Sequence, residues 1–168
     1  MSALMPILYE GAEASAPAFP LCTLNVFASV RLEAEIRRVL LALVTPEYME
    51  TWMELPGADR IECYPDRRSF DRFRIDMFRA GYGIGSIHGS CLLSKPNKIT
   101  YLWQREGSDE RAQSLVEIRL YDELVECAIK LKHSGLWTTT EHEQYSRMWR
   151  RSLDKLSGLM KGIMPLAS

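Results

Sequence analysis

The chain has 168 residues, of which 46% are hydrophobic and 26% are charged, and its formal net charge is −1. This length and composition suit a single globular domain with a real core. The near-neutral charge argues against a nucleic-acid-binding protein, and no apolar run approaches the roughly 18 residues of a membrane span. We therefore expect neither a nucleic-acid partner nor a membrane span.

The first 20 residues differ from the rest of the chain, because they contain three prolines and a stretch of small residues without any apolar period. This pattern predicts a flexible N-terminal arm at 1–20, followed by one domain at 21–163 and a short tail at 164–168. No basic residues precede the apolar ones at the N-terminus, so the segment does not resemble a signal peptide.

The four cysteines lie far apart, at Cys22, Cys63, Cys91 and Cys127, and form no CxxC pair. The histidines also show no HxH or HxxxH spacing, so we expect no metal site and no cofactor. Each cysteine sits in a strand-like segment, where a free thiol behaves as a small buried hydrophobe. We predict reduced thiols in a cytoplasmic protein.

The first elements are a strand and two short helices. Residues 21–31 alternate between apolar and mixed positions, as in a half-buried strand. Apolar residues then recur every three or four positions over 33–43, which predicts an amphipathic helix. Thr45 is a suitable N-cap for a second helix over 46–53, with Pro46 at its first position.

Alternation with a period of two returns after Gly57 and predicts six more strands joined mostly by short turns. We place these strands at 59–64, 72–77, 84–93, 99–104, 114–121 and 125–132. The last reversal is expected at Asp122 and Glu123, and Gly135 is expected to break the final strand. Seven strands in this order predict an antiparallel meander.

A long helix should close the chain. Thr140 can cap it, with Glu143 as the capping-box partner three residues later. About 24 helical residues would span about 36 Å, enough to cross a whole sheet. Its single apolar stripe consists of Tyr145, Trp149, Leu153, Leu156, Met160 and Ile163.

This element order predicts an α+β fold in which a curved seven-stranded antiparallel sheet wraps around the C-terminal helix. The two short helices after strand one can close one end. A bent sheet that grips a helix leaves a space between them, and aromatic side chains would line that space.

Three groups of residues, in this order and spacing, carry a resemblance to a known family. They are Phe27, Val39, Ala42-Leu43, Thr45-Pro46-Glu47 and Trp52; then Gly85, Gly89, Pro96, Lys98-Ile99, Tyr101 and Trp103; then Leu131, His133, Gly135-Leu136, Trp149, Leu153 and Leu156. Together they resemble the START-like (SRPBCC) superfamily, in the branch related to the activator of the heat-shock protein 90 ATPase. The resemblance covers about residues 21–163. It implies the helix-grip fold and a family made up mostly of binders of apolar small molecules, with some cyclases, aromatases and hydrolases.

We predict a ligand site in the cavity between the sheet and the last helix. Tyr and Trp offer a large contact area with one polar handle, and Met supplies an adaptable wall. His133 lies in phase with Leu131 and would be either a pocket base or a strand-end histidine bonded to backbone. Core packing is the alternative role for the others. The predicted site residues are Trp52, Met77, Tyr101, Trp103, His133, Tyr145 and Trp149.

Three functions remain open at this point. The first is binding of an apolar or aromatic small molecule without chemistry. The second is a cyclase- or dehydratase-type enzyme that uses the same cavity and needs an inward-facing polar group. The third is a co-chaperone-like protein-interaction module. The sequence leaves enzymatic activity and a homodimer undecided.

Overall fold

The computed structural model describes residues 23–69, 71–94, 97–107 and 113–162. The elements in chain order are β1 (Leu24–Leu32), α1 (Ile36–Val44), α2 (Pro46–Trp52), β2 (Arg60–Pro65), β3 (Arg72–Arg79), β4 (Tyr82–Ser94), β5 (Lys98–Arg105), β6 (Gln113–Glu123), β7 (Glu126–Leu136) and α3 (Thr139–Lys161). The strands form one antiparallel sheet in the order β1-β7-β6-β5-β4-β3-β2. The predicted α+β helix-grip fold is confirmed.

The two faces of the sheet differ in chemistry, as the period-two pattern predicts. In β3, Phe73, Ile75 and Met77 are buried, whereas Arg72 and Arg74 on the opposite face are exposed. The buried phase of every strand contributes to a single core under α3. We call this buried side the inner face and the opposite side the outer face.

Helix α3 covers the inner face, and its predicted stripe is its packed side. Trp149, Leu153, Leu156 and Met160 are buried. The 23 residues of the helix span about 34 Å at 1.5 Å per residue. Ile163, the predicted last member of the stripe, lies outside the described residues, as do the boundaries of the arm, domain and tail.

Helices α1 and α2 close one end of the core through hydrogen bonds from buried aromatic side chains. The indole nitrogen of Trp52 donates to the carbonyl oxygen of Ala42 at 2.8 Å, and the Tyr101 hydroxyl donates to the carbonyl oxygen of Leu43. Thr45 is the N-cap residue of α2, as predicted, although its side chain makes no capping hydrogen bond.

The N-terminus of α3 corrects one prediction. The capping box is formed by Thr138 and Glu141, not by Thr140 and Glu143. The Thr138 hydroxyl oxygen accepts from the Glu141 amide at 3.1 Å, and the Glu141 carboxylate accepts from the amides of Trp137 and Thr138 at 2.8 and 3.1 Å. The Glu141 side chain thus binds two backbone donors before the helix and fixes its start two residues earlier.

Two strand ends also differ from prediction. The β6–β7 reversal lies at Leu124 and Val125, because Glu123 pairs with Glu126 and leaves a two-residue turn between them. Strand β7 does not end at Gly135 but continues through it with a φ of 86°. A Cβ atom there would lie 3.0 Å from the carbonyl oxygen of Gln113, so glycine lets the strand pass.

The cap yields a stability prediction. Replacing Thr138 with alanine should lower the free energy of unfolding by about 1 kcal/mol, because the Glu141 amide loses its acceptor at the helix N-terminus. Thr140→Ala is the matched control, since Thr140 is exposed within the first turn and should change stability by less than about 0.5 kcal/mol. Urea unfolding of the two variants and the wild type measures the difference. Equal losses, or a larger loss for Thr140→Ala, would contradict the assigned cap.

Candidate functional site

A pocket of about 290 Å³ opens where α3 begins, between the first turns of the helix, the middle of β4 and the ends of β5, β6 and β7. Apolar side chains form its inner wall and polar side chains form its mouth. Its lining residues are Pro56, Ile87, Trp103, Arg105, Ser114, Gly135, Leu136, Trp137, Glu141, Gln144 and Tyr145. We call this the α3 pocket.

An aromatic cluster of four side chains lies at the base of the α3 pocket. The Trp103 and Trp149 rings are stacked, with centroids 5.5 Å apart and an angle of 18° between their planes. The His133 ring meets Trp103 and Tyr145 edge to face, at centroid distances of 5.5 and 4.5 Å. These contacts are typical of favourable aromatic pairs and hold the imidazole between the sheet and the helix.

A hydrogen bond inside this cluster determines the tautomer of His133, and burial determines its charge. The indole nitrogen of Trp149 donates to Nδ1 of His133 at 3.0 Å. Since Nδ1 is the acceptor, the proton of the neutral ring is on Nε2. Burial lowers the pKa of His133 from 6.5 to about 3, because desolvation disfavours the charged imidazolium. His133 is therefore a neutral hydrogen-bond donor at physiological pH.

Two buried donors in the cluster have no hydrogen-bond partner within the described residues. They are Nε1 of Trp103 and Nε2 of His133, on side chains that are 2% and 0% exposed. A buried donor without an acceptor costs about 1–3 kcal/mol. The rings of Trp103 and His133 are in contact with each other. A ligand oxygen that accepted from their N–H groups would therefore offset the cost of burying these donors.

The structure separates the seven predicted site residues into two groups. Trp103 and Tyr145 line the α3 pocket, and His133 and Trp149 lie against them at its base. The other three do not line this pocket; they are Trp52, Met77 and Tyr101. Ligand contact by any of the seven stays a prediction.

Trp52 and Tyr101 hydrogen-bond to the end of α1, and Met77 packs beside Gly85. One sequence-based interpretation of His133, a hydrogen bond to backbone at the strand end, is wrong. Its Nδ1 accepts from the Trp149 indole instead.

Several pocket residues were missed by the sequence analysis, mainly at the mouth. Glu141 and Gln144 lie within one turn of the predicted residue Tyr145 on α3, and Trp137 precedes the helix. The spacing of three and four residues on a helix brings such side chains to one face. This spacing could have predicted Glu141, four residues before Tyr145, and Gln144, three residues after Glu141, as pocket residues.

Among the described residues, no group of three or more His, Cys, Asp or Glu side chains is arranged to hold a metal ion. The same part of the chain contains no helix that is long and apolar enough to cross a membrane. Cys63, Cys91 and Cys127 are free thiols, as predicted, and Cys22 lies outside the described residues.

Solved structures with the same architecture come from several bacteria. A protein from Chromobacterium violaceum matches with a TM-score of 0.67 and 19% identity, covering 82% of this chain and 98% of the other. A START superfamily protein from Mycobacterium smegmatis gives 0.65 and 10%, covering 83% and 99%. The solution structure of an Aha1 dimer from Colwellia psychrerythraea gives 0.56 and 18%, covering 82% and 96%. These similarities show that the chain has the START-like helix-grip fold.

The family follows from the sequence itself. A family model described as activator of Hsp90 ATPase homolog 1-like protein matches residues 33–161. The match covers more than half of the chain, so the protein belongs to this family. No curated protein matches the chain.

The buried histidine predicts a specific pH dependence of stability. Below pH 6.5 the unfolded chain takes up a proton on His133, whereas the folded protein does not until about pH 3. Stability should therefore fall as the pH decreases through this window, by about 2 kcal/mol between pH 7.5 and pH 5 from this group alone. His133→Gln keeps an acceptor for Trp149 but cannot be protonated, so its loss over the same range should be smaller by that amount. Urea unfolding at both pH values measures this, and equal losses would contradict a buried neutral histidine.

Proposed function

We propose that the protein binds a neutral apolar or aromatic small molecule that carries a hydrogen-bond acceptor, and that it does so in the α3 pocket. The observation that supports this proposal is the pair of buried, unpartnered donors on Trp103 and His133 at the base of the pocket. Buried polar groups in folded proteins nearly always have hydrogen-bond partners. Two unpartnered donors side by side therefore favour a ligand oxygen as their acceptor.

The size and walls of the pocket suit a small ligand. Its volume of about 290 Å³ is at the lower end of the range of about 300–1,000 Å³ for small-molecule sites. Ile87, Trp103, Leu136 and Tyr145 offer apolar and aromatic contact area. Such walls favour a molecule of one or two rings over a long-chain lipid.

Tyr145 is the side chain through which the ligand would reach the donors. It lines the pocket and also packs on the His133 ring, and it is only half-buried. Because its ring both lines the pocket and packs on the imidazole, displacement of that ring would bring a ligand in the pocket against His133. Tyrosine suits this position because it offers a large ring for contact with the ligand and a hydroxyl as one polar handle.

Binding is better supported than acid–base catalysis. A cyclase or dehydratase needs an inward-facing group that exchanges protons near neutral pH. His133 does not meet this requirement, because burial lowers its pKa to about 3 and Trp149 occupies its Nδ1. Glu141 does not meet it either, because it lies at the pocket mouth and its carboxylate accepts from two backbone amides of the helix cap.

A matched pair of probes tests the proposal. Benzophenone and diphenylmethane have similar size, but only the ketone offers an acceptor oxygen. Benzophenone should bind about tenfold more tightly, since a hydrogen bond to a buried donor is worth about 1–1.5 kcal/mol. Quenching of tryptophan fluorescence gives the affinity, and native mass spectrometry gives the stoichiometry. Trp103→Phe should reduce the preference for the ketone, because it removes one donor and keeps an aromatic wall.

A second pair of variants locates the binding site. Gln144 is exposed at the pocket mouth, so Gln144→Trp should narrow the entrance and weaken benzophenone binding about tenfold without loss of stability. Arg147→Trp, one turn along α3 and outside the pocket lining, is the control and should bind as the wild type does. Absence of saturable binding by either probe, or equal binding by Gln144→Trp, would overturn the proposal.

A further inference from the structure

The outer face of the sheet contains a second, larger concavity of about 720 Å³, which has no residue in common with the α3 pocket. Four arginines line it: Arg67 and Arg68 from the β2–β3 turn, and Arg72 and Arg74 from β3. Asp66 is the acidic side chain of the lining. We call this concavity the arginine groove. Its cationic lining differs from the chain as a whole, which has a formal net charge of −1.

The groove runs across the strands rather than along them. The sheet register places Tyr64, Arg74, His88, Gln104 and Gln113 opposite one another on β2, β3, β4, β5 and β6. Neighbouring strands are about 4.8 Å apart, so this row of side chains extends over about 19 Å. An extended ligand of about six residues would match its length.

Three of the four arginines have charge available for a ligand. Arg74 is paired with Asp76 at 2.6 Å. Arg67, Arg68 and Arg72 form no ion pair within 4 Å with any carboxylate of the described residues. All three are exposed. Their planar guanidinium groups fit carboxylates in a two-pronged geometry.

The remainder of the groove has the chemistry of a peptide-binding surface. Gln104 and Gln113 lie at the end away from the arginines, where the side-chain Nε2 of Gln113 donates to the side-chain Oε1 of Gln104 at 3.3 Å. Carboxamides offer both a donor and an acceptor, as peptide groups do. Leu102, which is 38% exposed, provides an apolar contact at this end, and Tyr64, which is 45% exposed, provides one at the arginine end.

We propose that the arginine groove binds an extended acidic peptide segment of a partner protein, with its carboxylates on Arg67, Arg68 and Arg72 and its backbone beside Gln104 and Gln113. This site is independent of the α3 pocket and of its ligand. A nucleic-acid backbone fits less well, because the arginines lie at one end of the groove and the other end, at Gln104 and Gln113, is uncharged. A continuous line of phosphates would therefore be paired over only part of its length.

The test uses a fluorescein-labelled octapeptide in which glutamate alternates with leucine or alanine, and a matched peptide with glutamine in place of glutamate. Fluorescence anisotropy with the full chain should give about tenfold tighter binding of the glutamate peptide, since three exposed ion pairs are worth about 0.5 kcal/mol each. The difference should decrease at high salt, because exposed charges are screened.

Two triple variants separate the groove from general electrostatic attraction. The variant R67Q/R68Q/R72Q should lose the preference for the glutamate peptide. The control variant R37Q/R147Q/R150Q removes the same charge from exposed arginines on α1 and α3 and should keep it. Both should unfold at the same urea concentration as the wild type.

Several outcomes would overturn the proposal. The first is an equal loss of glutamate-peptide affinity in the two triple variants, and the second is equal affinity of the wild type for the glutamine and glutamate peptides. The third is displacement of the labelled glutamate peptide by inorganic pyrophosphate or an oligothymidine at a lower concentration than unlabelled glutamate peptide requires. Retention of peptide binding after the α3 pocket is blocked by Gln144→Trp would support the independence of the two sites.

Discussion

The hydrogen bond from the Trp149 indole to Nδ1 of His133 joins the long helix to the last strand inside the core. It orients the imidazole, and with Nδ1 occupied the ring keeps its proton on Nε2. The stacked Trp103 ring and the edge-on Tyr145 ring then surround that imidazole. The free donor on Nε2 of His133, one of the two at the base of the α3 pocket, depends on this single contact.

The pocket mouth depends on where α3 begins. Glu141 binds the amides of Trp137 and Thr138 and so determines the first turn of the helix. Tyr145 lies one turn further on, which puts its ring at the pocket wall. In the second half of the helix, the Ser152 hydroxyl accepts from the Glu54 amide at 2.9 Å, and Lys155 pairs with the Glu54 carboxylate at 2.7 Å. Polar contacts therefore hold the helix at its start and again in its second half, while its apolar side packs on the sheet.

Much of this fold could be predicted from the sequence, because strand alternation and the helical stripe are direct effects of burial on one face. Positions decided by competition between similar local signals could not. Thr138 and Thr140 each precede a glutamate by three residues, and tertiary context selected the first. The β6–β7 turn lies two residues later than predicted, at Leu124 and Val125. Strand pairing includes Asp122 and Glu123, although acidic residues are common in turns.

The α3 pocket could be predicted only in part from sequence patterns. Aromatic residues were good candidates, but periodicity does not distinguish Trp103 at the pocket from Trp52 and Tyr101, which hydrogen-bond to α1. The Trp149–His133 contact joins residues on two different elements, so no sequence spacing indicates it. The arginine groove likewise comes from sheet register, which places side chains from five strands in one row.

The stacking of Trp103 on Trp149 has a spectroscopic consequence. One indole belongs to the sheet and the other to α3, and their rings are nearly parallel at 5.5 Å. Two indoles so close couple their electronic transitions, and the coupling is lost when the rings separate. The chain thus contains an intrinsic optical reporter of helix docking, and its signal is independent of any added label.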